Sequence, residues 1–297
     1  IAAAVSQTSG FSLALCVASV MGGSMFGDNL SFISDTTIAA CNGQGCEMKD
    51  KFRENFWIAL PAAIVSLVLI LISSFRAEIG TAVTHEYNLM QIIPYVLVLV
   101  GGIAGFNVFL VLLTGIVSGA VIMLAMGQVT PYEMLAAMGS GVSGMFETCM
   151  VAVLVAAMCA LIRENGGFDV LLDVIHRVFK GSKSGQLGVG ILVALLDVAT
   201  ANNTVAIVMA NPIAKEMADD YQITPRKTAS LLDTFSCISQ GVIPYGAQML
   251  VAISAAHELG YDLSAFQIMP KLFYPILLLF SSLVFIFLVP QKERRDI

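Results

Sequence analysis

Stretches of about twenty consecutive apolar residues, the length a helix needs to cross the hydrocarbon core of a bilayer, recur at 56–75, 95–126, 145–161 and 272–290. Inside lipid every backbone N–H and C=O must be bonded within its own segment, and only helices or closed barrels achieve this. Runs of this length specify helices, so the expected fold class is an all-α polytopic membrane protein. Composition agrees: 57% of the 297 residues are hydrophobic and 12% are charged, against about 25% charged in soluble domains. Mean hydropathy is +0.85. No stretch is left over for a separate soluble domain. The net charge of −6 is spread through short connectors rather than gathered in a patch, which argues against nucleic acid as a partner.

Glycine, proline and polar breakers divide the chain further. They suggest a broken helix over 11–46, a span at 56–75, and two spans at 89–105 and 107–127 turning at Gly105-Phe-Asn107. A span at 145–163 and an amphipathic piece at 168–179 follow. An interrupted apolar segment at 186–213, a broken helix at 228–257 and a final span at 271–290 complete the series. Read as a re-entrant hairpin, the 186–213 segment sorts the fifteen basic residues by side. Lys49, Lys51, Arg53, Arg163, Arg177, Lys180, Lys183, Lys215, Arg226, Lys227, Lys292, Arg294 and Arg295 share one face, and Arg76 and Lys271 take the other. The positive-inside rule makes the first face cytoplasmic. The expectation is a multi-pass protein of the inner (cytoplasmic) membrane with a cytoplasmic C-terminus. A single crossing at 186–213 would reverse everything after it.

Polar residues interrupt the apolar pattern in three places. The first is Gly27-Asp-Asn-Leu-Ser-Phe-Ile-Ser-Asp-Thr-Thr37. Its core, Asp28-x-x-Ser31-x-Ile33-Ser34-Asp35, recurs 205 residues later as Asp233-x-x-Ser236-x-Ile238-Ser239-Gln240, with four identities in eight positions. The assigned topology runs the two copies in opposite directions, the pattern of inverted repeats with broken helices near the midplane in secondary transporters. Gly22, Gly23 and Gly27 in the first copy, and Gly241 with Pro244 in the second, are expected to loosen or end the helices there. Freed carbonyls and hydroxyls are hard oxygen ligands suited to an alkali cation. An Asp at the bilayer centre costs about 2.5–3.5 kcal/mol on insertion scales, so Asp28, Asp35, Asp197 and Asp233 at depth are functional-site candidates. Capping of half-helices is the competing explanation, and for Asp197 a structural role stays open. The third interruption is Asp197-Val-Ala-Thr-Ala-Asn-Asn-Thr204, whose Asn202, Asn203 and Thr204 would form a hairpin tip at the depth of the breaks.

The candidate ion- or substrate-binding set is therefore Asp28, Asn29, Ser31, Ser34, Asp35, Thr36, Asp197, Asn202, Asn203, Thr204, Asp233, Ser236, Ser239 and Gln240, with Asp28, Asp35 and Asp233 as the Na+ ligands. Three domains are expected. Residues 1–75 form the end of a first inverted repeat, 76–165 form connecting transmembrane helices, and 166–297 form the second repeat. The chain starts on apolar Ile1 with neither a basic leader nor a cleavage site, unlike a signal peptide. The 205-residue offset puts a partner for the hairpin tip before Ile1, so an upstream part is expected to be missing.

Other residues carry less. Cys16, Cys149, Cys159 and Cys237 lie in apolar surroundings, where a thiol packs, and one CxxxxC pair at Cys41 and Cys46 is weak evidence for a metal. His85 and His176 lie in connectors. Gly141-Val-Ser143-Gly144, with Glu147 one turn on and His257 elsewhere, allows an intramembrane serine protease as a remote alternative. Small residues so spaced are common where membrane helices pack closely.

The stretch Gly22-Gly-Ser-Met-Phe-Gly-Asp-Asn-Leu-Ser-Phe-Ile-Ser-Asp-Thr-Thr37 resembles the NhaC family of sodium/proton antiporters, within the larger ion-transporter superfamily. Ile243-Pro244 resembles the family's Ile-Pro, whereas Phe32, Leu232 and Tyr245 depart from the residues frequent there. The resemblance implies a fold of two inverted repeats, each with a hairpin and a broken helix. It implies exchange of Na+ for H+ by alternating access, with Asp28, Ser31, Ser34, Asp35 and Thr36 as site residues. Relatives include exchangers of small organic acids, so a Na+- or H+-coupled carrier of an organic acid or amino acid is the alternative. No cofactor is expected. Membrane lipid, the small cation, a small organic solute and a second copy of the chain, as a homodimer, are the partners allowed for.

Overall fold

In the computed structural model, residues 6, 11–32, 34–75, 89–104, 106–258 and 260–289 are described, with side chains omitted at some helical positions, Ser143, Glu147 and His176 among them. Among the described residues the regular structure is helical, with no strand. Arg76, His85, Gly105 and the basic residues at 292–295 lie outside this set.

The helices are α1 (Leu13–Asn29), α2 (Asp35–Gln44), α3 (Met48–Phe75), α4 (Ile93–Ile103), α5 (Val108–Ala125), α6 (Pro131–Glu164) and α7 (Gly167–Val178). They continue as α8 (Ser182–Thr200), α9 (Asn203–Asp220), α10 (Pro225–Val242), α11 (Ala247–Glu258), the single turn α12 (Ala265–Ile268) and α13 (Phe273–Leu288). Contacts group them into two units: residues 1–83 with 158–297, and residues 84–157.

In the smaller unit α4 and α5 pack closely because glycines leave room: a Cβ on Gly101 would strike Val111, and one on Gly115 would strike Val98. Small residues at such seams are how helices approach in lipid.

In the larger unit the central element is α10, which packs against α1, α2, α3, α8, α9 and α13. It is a polar helix, burying Thr228, Ser230, Asp233, Thr234, Ser236, Ser239 and Gln240. The outside of the unit is the reverse. On α3, Trp57, Ile64, Leu67, Val68, Leu71 and Phe75 are exposed, while Lys51, Asn55, Ile58, Ala59, Ala62 and Ser66 form the buried stripe with the spacing of one helix face. At 28 residues α3 is about 42 Å long at 1.5 Å per residue, more than a hydrocarbon core needs. Helices Met48–Phe75 and Ser182–Thr200 are long and apolar enough to span a membrane, and 265–288 counts as a third if its pair, bent by 49°, is one span. An apolar exterior around a polar centre inverts the soluble pattern.

The 186–213 segment is two helices, α8 and α9, joined at Ala201 and Asn202. Ala201 adopts the left-handed conformation with φ 53° and the Asn202 side chain caps α9 by accepting from Val205 N–H. Its open ends meet again, where Tyr221 Oη donates to the Phe179 carbonyl at 2.8 Å. The chain thus doubles back as a helical hairpin.

Both broken helices exist, the first interrupted within 27–37 and the second at Pro244, but not every residue expected to break them does so. Gly22, Gly23 and Gly27 lie inside an unbroken α1, and the first break falls at 30–34. In the second copy, 233–240 is continuous helix within α10, and the break comes later, at 243–246, where Pro244 has no N–H to extend the ladder. Two of the glycines serve packing instead: Gly22 faces Tyr274, and Gly241 leaves room for Met25, whereas Gly23 and Gly27 face open space. The copies at 28–35 and 233–240 therefore differ in local structure, one spanning a break and the other lying wholly within a helix. The two broken helices run antiparallel. Met25 lies against Cys237 and Gly241, Asn29 meets Asp233 through Asn55, and the start of α1 packs on α11.

Candidate functional site

Ser34 starts α2 as its N-cap, accepting from Thr37 N–H at 3.3 Å, one of the residue types favoured there. Its hydroxyl lies 3.2 Å from the Asp28 carbonyl and 3.1 Å from Thr36 Oγ1. Thr36 Oγ1 in turn reaches the two Asp28 carboxylate oxygens at 3.4 and 3.5 Å. The break thus folds Asp28, at the end of α1, back over the first turn of α2. Asp28 is partly exposed, which leaves its carboxylate open to a small ion.

Asp35 points the other way. It is exposed and accepts from the Thr204 hydroxyl at 2.6 Å, joining the first turn of α2 to the first turn of α9. Further along, Asn211 donates to the Ala39 carbonyl and Gln44 donates to Asn211, so α2 and α9 run parallel with their N-termini together. Gln240 ties α10 to the hairpin tip by donating to the Ala201 carbonyl at 3.2 Å, and Tyr245 Oη donates to the Val198 carbonyl at 2.9 Å. The hairpin tip therefore meets both interruptions.

Asp233 takes a partner that hydropathy hides. Lys51 Nζ, fully buried, lies 2.5 Å from Asp233 Oδ2 and donates to the Asn29 carbonyl at 3.0 Å and to Thr37 Oγ1 at 2.8 Å. One helical turn on, Asn55 donates to Asn29 Oδ1 at 2.8 Å and to Asp233 Oδ2 at 3.0 Å. The Asn55 side-chain oxygen Oδ1 accepts from Ser230, and from Thr234 at 3.4 Å. Lys51, counted in the sequence only among the basic residues of one face, is thus a buried basic residue standing at the broken helices. Lys227 is likewise buried, 3.2 Å from Glu54.

Of the sequence-derived set, Asp28, Asn29, Ser34, Thr36 and Asp233 come together around the first break, with Asp35 and Thr204 at its rim. Ser31 belongs to the same loop, its carbonyl accepting from Thr37 Oγ1 at 3.0 Å. Ser236 and Ser239 do not join: their hydroxyls donate to the carbonyls of Asp233 and Phe235 on their own helix. Asn202 caps α9, accepting from Val205 N–H, and Asn203, its first residue, accepts from Thr204 N–H. Asp197 stands apart in α8, fully buried, with neither carboxylate oxygen holding a hydrogen-bond partner. Among the described residues no three His, Cys, Asp or Glu side chains converge as metal ligands, so Asp28, Asp35 and Asp233 do not form one tricarboxylate site. Cys41 and Cys46 are free thiols. The side chains of Ser143 and Glu147 lie outside the described residues.

Lys51, Asn55, Thr37, Ser230 and Thr234 were missed in the sequence. A usable signal existed for two of them: the buried period of α3, carried back from Ala62 through Ala59, Ile58 and Asn55, lands on Lys51.

No curated protein and no solved structure matches the chain. The family described as the Na+/H+ antiporter family matches residues 73–288. This span includes α8 to α13, with Asp197, the hairpin tip and Asp233, and begins after Asp28 and Lys51. With most of its length covered, the chain belongs to the Na+/H+ antiporter family, a family of transporters and not of enzymes.

Proposed function

We propose that this protein exchanges Na+ for H+ across the cytoplasmic membrane by alternating access, with Asp28 as the carboxylate for which the two ions compete. The observation that carries this reading is the convergence of three helix interruptions, at 30–34, 201–202 and 243–246, on a polar centre inside an apolar exterior. Non-helical backbone at membrane depth is tolerated where protein or a water-filled cavity satisfies it, and hydroxyls and carbonyls at such breaks suit a small cation. Asp28 fits the role better than its neighbours. Asp233 is already neutralised by Lys51, and Asp35 is engaged by Thr204, whereas the partly exposed Asp28 is touched by hydroxyls alone, those of Thr36 at 3.4 and 3.5 Å and that of Ser34. A carboxylate can hold a proton or a cation but hardly both, so one site gives exchange.

Under this reading the α8/α9 hairpin is re-entrant, the C-terminus is cytoplasmic, and Thr204 and Asp35 mark where the hairpin and the first broken helix meet. The first-repeat motif at 22–37 points to the NhaC subfamily. The test is a Na+ pulse applied to proteoliposomes containing a lumenal pH dye, compared with K+ and Li+ pulses. Lumenal alkalinisation with Na+ is expected, and an unchanged lumenal pH for all three ions overturns the reading.

One observation favours a coupled organic acid as cargo: the N-termini of α2 and α9 lie together, and helix N-termini attract anions. A thermal-shift screen of organic acids with and without Na+ separates the two, since an acid-dependent rise in melting temperature is expected only for the carrier.

A further inference from the structure

The oxygens around Lys51 Nζ form a cage of the kind that suits a free monovalent cation. An ammonium has three donors and no acceptor, and here each meets one oxygen: Asp233 Oδ2 at 2.5 Å, Thr37 Oγ1 at 2.8 Å and the Asn29 carbonyl at 3.0 Å. The last of these belongs to the final residue of α1, where helix carbonyls lack intrahelical partners and carry the negative end of the dipole. The cage also has an oxygen to spare. Asp233 Oδ1 is buried without a hydrogen-bond partner, which a pair serving stability alone has no reason to leave. Lys51 reaches this place from α3, a helix belonging to neither broken segment.

We propose that Lys51 is a tethered cation seated in a second cation cage, so that the protein carries one free Na+ where its oxygen framework has places for two. The inference rests on the exchange reading above and specifies its ion count. Asp28 remains the free site, and Asp233 with Asn29 and Thr37 is the site that the ammonium fills permanently. Lys51 thereby sets the number of ions moved per cycle without being itself transported.

A purely structural pair makes a different prediction. Removing one partner of a buried ion pair leaves an uncompensated charge and is strongly destabilising, whatever the salt. If the cage accepts Na+, the loss is repaired by Na+, because a ligand that binds only the folded state raises its stability.

The experiment measures equilibrium binding of 22Na+ to the purified full chain, with melting temperature followed in Na+ and in choline. The proteins are wild type, Lys51→Met, and Lys51→Met with Asp233→Asn. Wild type is expected to bind one ion per chain. Lys51→Met should bind two and melt well below wild type in choline but close to it in Na+, and the double variant should return to one ion and lose the extra Na+ dependence. If Lys51→Met is unfolded in choline and recovered by Na+, the proposal stands. If Na+ neither adds a second ion nor restores Lys51→Met while the double variant folds, the proposal is overturned and the pair is structural. Absence of Na+ binding to wild type would instead remove the exchange reading on which it rests.

Discussion

Asp28 and Asp233 face the same centre from different helices, yet their partners give them different work. Hydrogen bonds to a charged group are worth about 1.5–3 kcal/mol, and each 1.4 kcal/mol is about tenfold in affinity. Asp28→Asn should therefore weaken Na+ binding by roughly ten- to a hundredfold with little change in melting temperature, which 22Na+ binding and thermal denaturation check together. Asn55→Leu should do the opposite. It leaves the buried oxygens of Asp233 and Asn29 and the Ser230 hydroxyl short of a partner, at about 1–3 kcal/mol for each unsatisfied group, so the melting temperature should fall. The motif at 27–37 was readable because carboxylates and hydroxyls stand out in an apolar chain. Lys51 was not, because a lysine at the end of an apolar run looks solvated until helix period is followed past the last hydrophobic residue. The partners of Asp233 were hidden for another reason: Asn55 lies 178 residues away in sequence, and only packing brings it there.

Among the helices, positions were legible and breaks only in part: interruptions within 27–37, beside Asn202 and at Pro244 are found, but Gly22, Gly23, Gly27 and the run 233–240 do not interrupt. The expected spans over 56–75 and 271–290 correspond to α3 and α13, and the amphipathic piece at 168–179 is α7. In the second copy the polar run 233–240 was read as part of the interruption, whereas the helix continues through it and ends just before Pro244. A run such as Asp233-Thr-Phe-Ser-Cys-Ile-Ser-Gln240 stays helical because its serine hydroxyls bond back to the preceding turn, while Thr234 and Asp233 Oδ2 are engaged from α3. Pro244, and not the polar run before it, marks this break. Close packing of α8 on α10 depends on Gly190, where a Cβ would lie 2.7 Å from the Phe235 ring. Gly190→Val should cost about 1–3 kcal/mol through overpacking, read as a lower melting temperature, and should shift the hairpin tip enough to reduce exchange. By contrast Gly23→Ala, at a position where a Cβ meets nothing within 4 Å, should leave both unchanged.

At the scale of the whole molecule, the larger unit presents an apolar surface around a polar axis, and lipid is the solvent this suits. The chain has a single tryptophan, Trp57, which is 63% exposed on α3, so its fluorescence reports one place. In bilayers containing brominated lipids it should be quenched more strongly by bromines near the headgroup than by those at the chain ends, since indole rings favour the interface. The length of the apolar runs, with composition in agreement, already pointed to the membrane class. The opposite course of the two broken helices was expected from the sorting of basic residues, and contacts between residues some two hundred positions apart now give it residue by residue.

The most direct test of the account is the lumenal pH of proteoliposomes after a Na+ pulse, comparing wild type with Asp28→Asn at equal reconstitution. The account predicts prompt alkalinisation with wild type and nearly none with Asp28→Asn. A wild type that moves no protons, or an Asp28→Asn that moves as many as wild type, contradicts it.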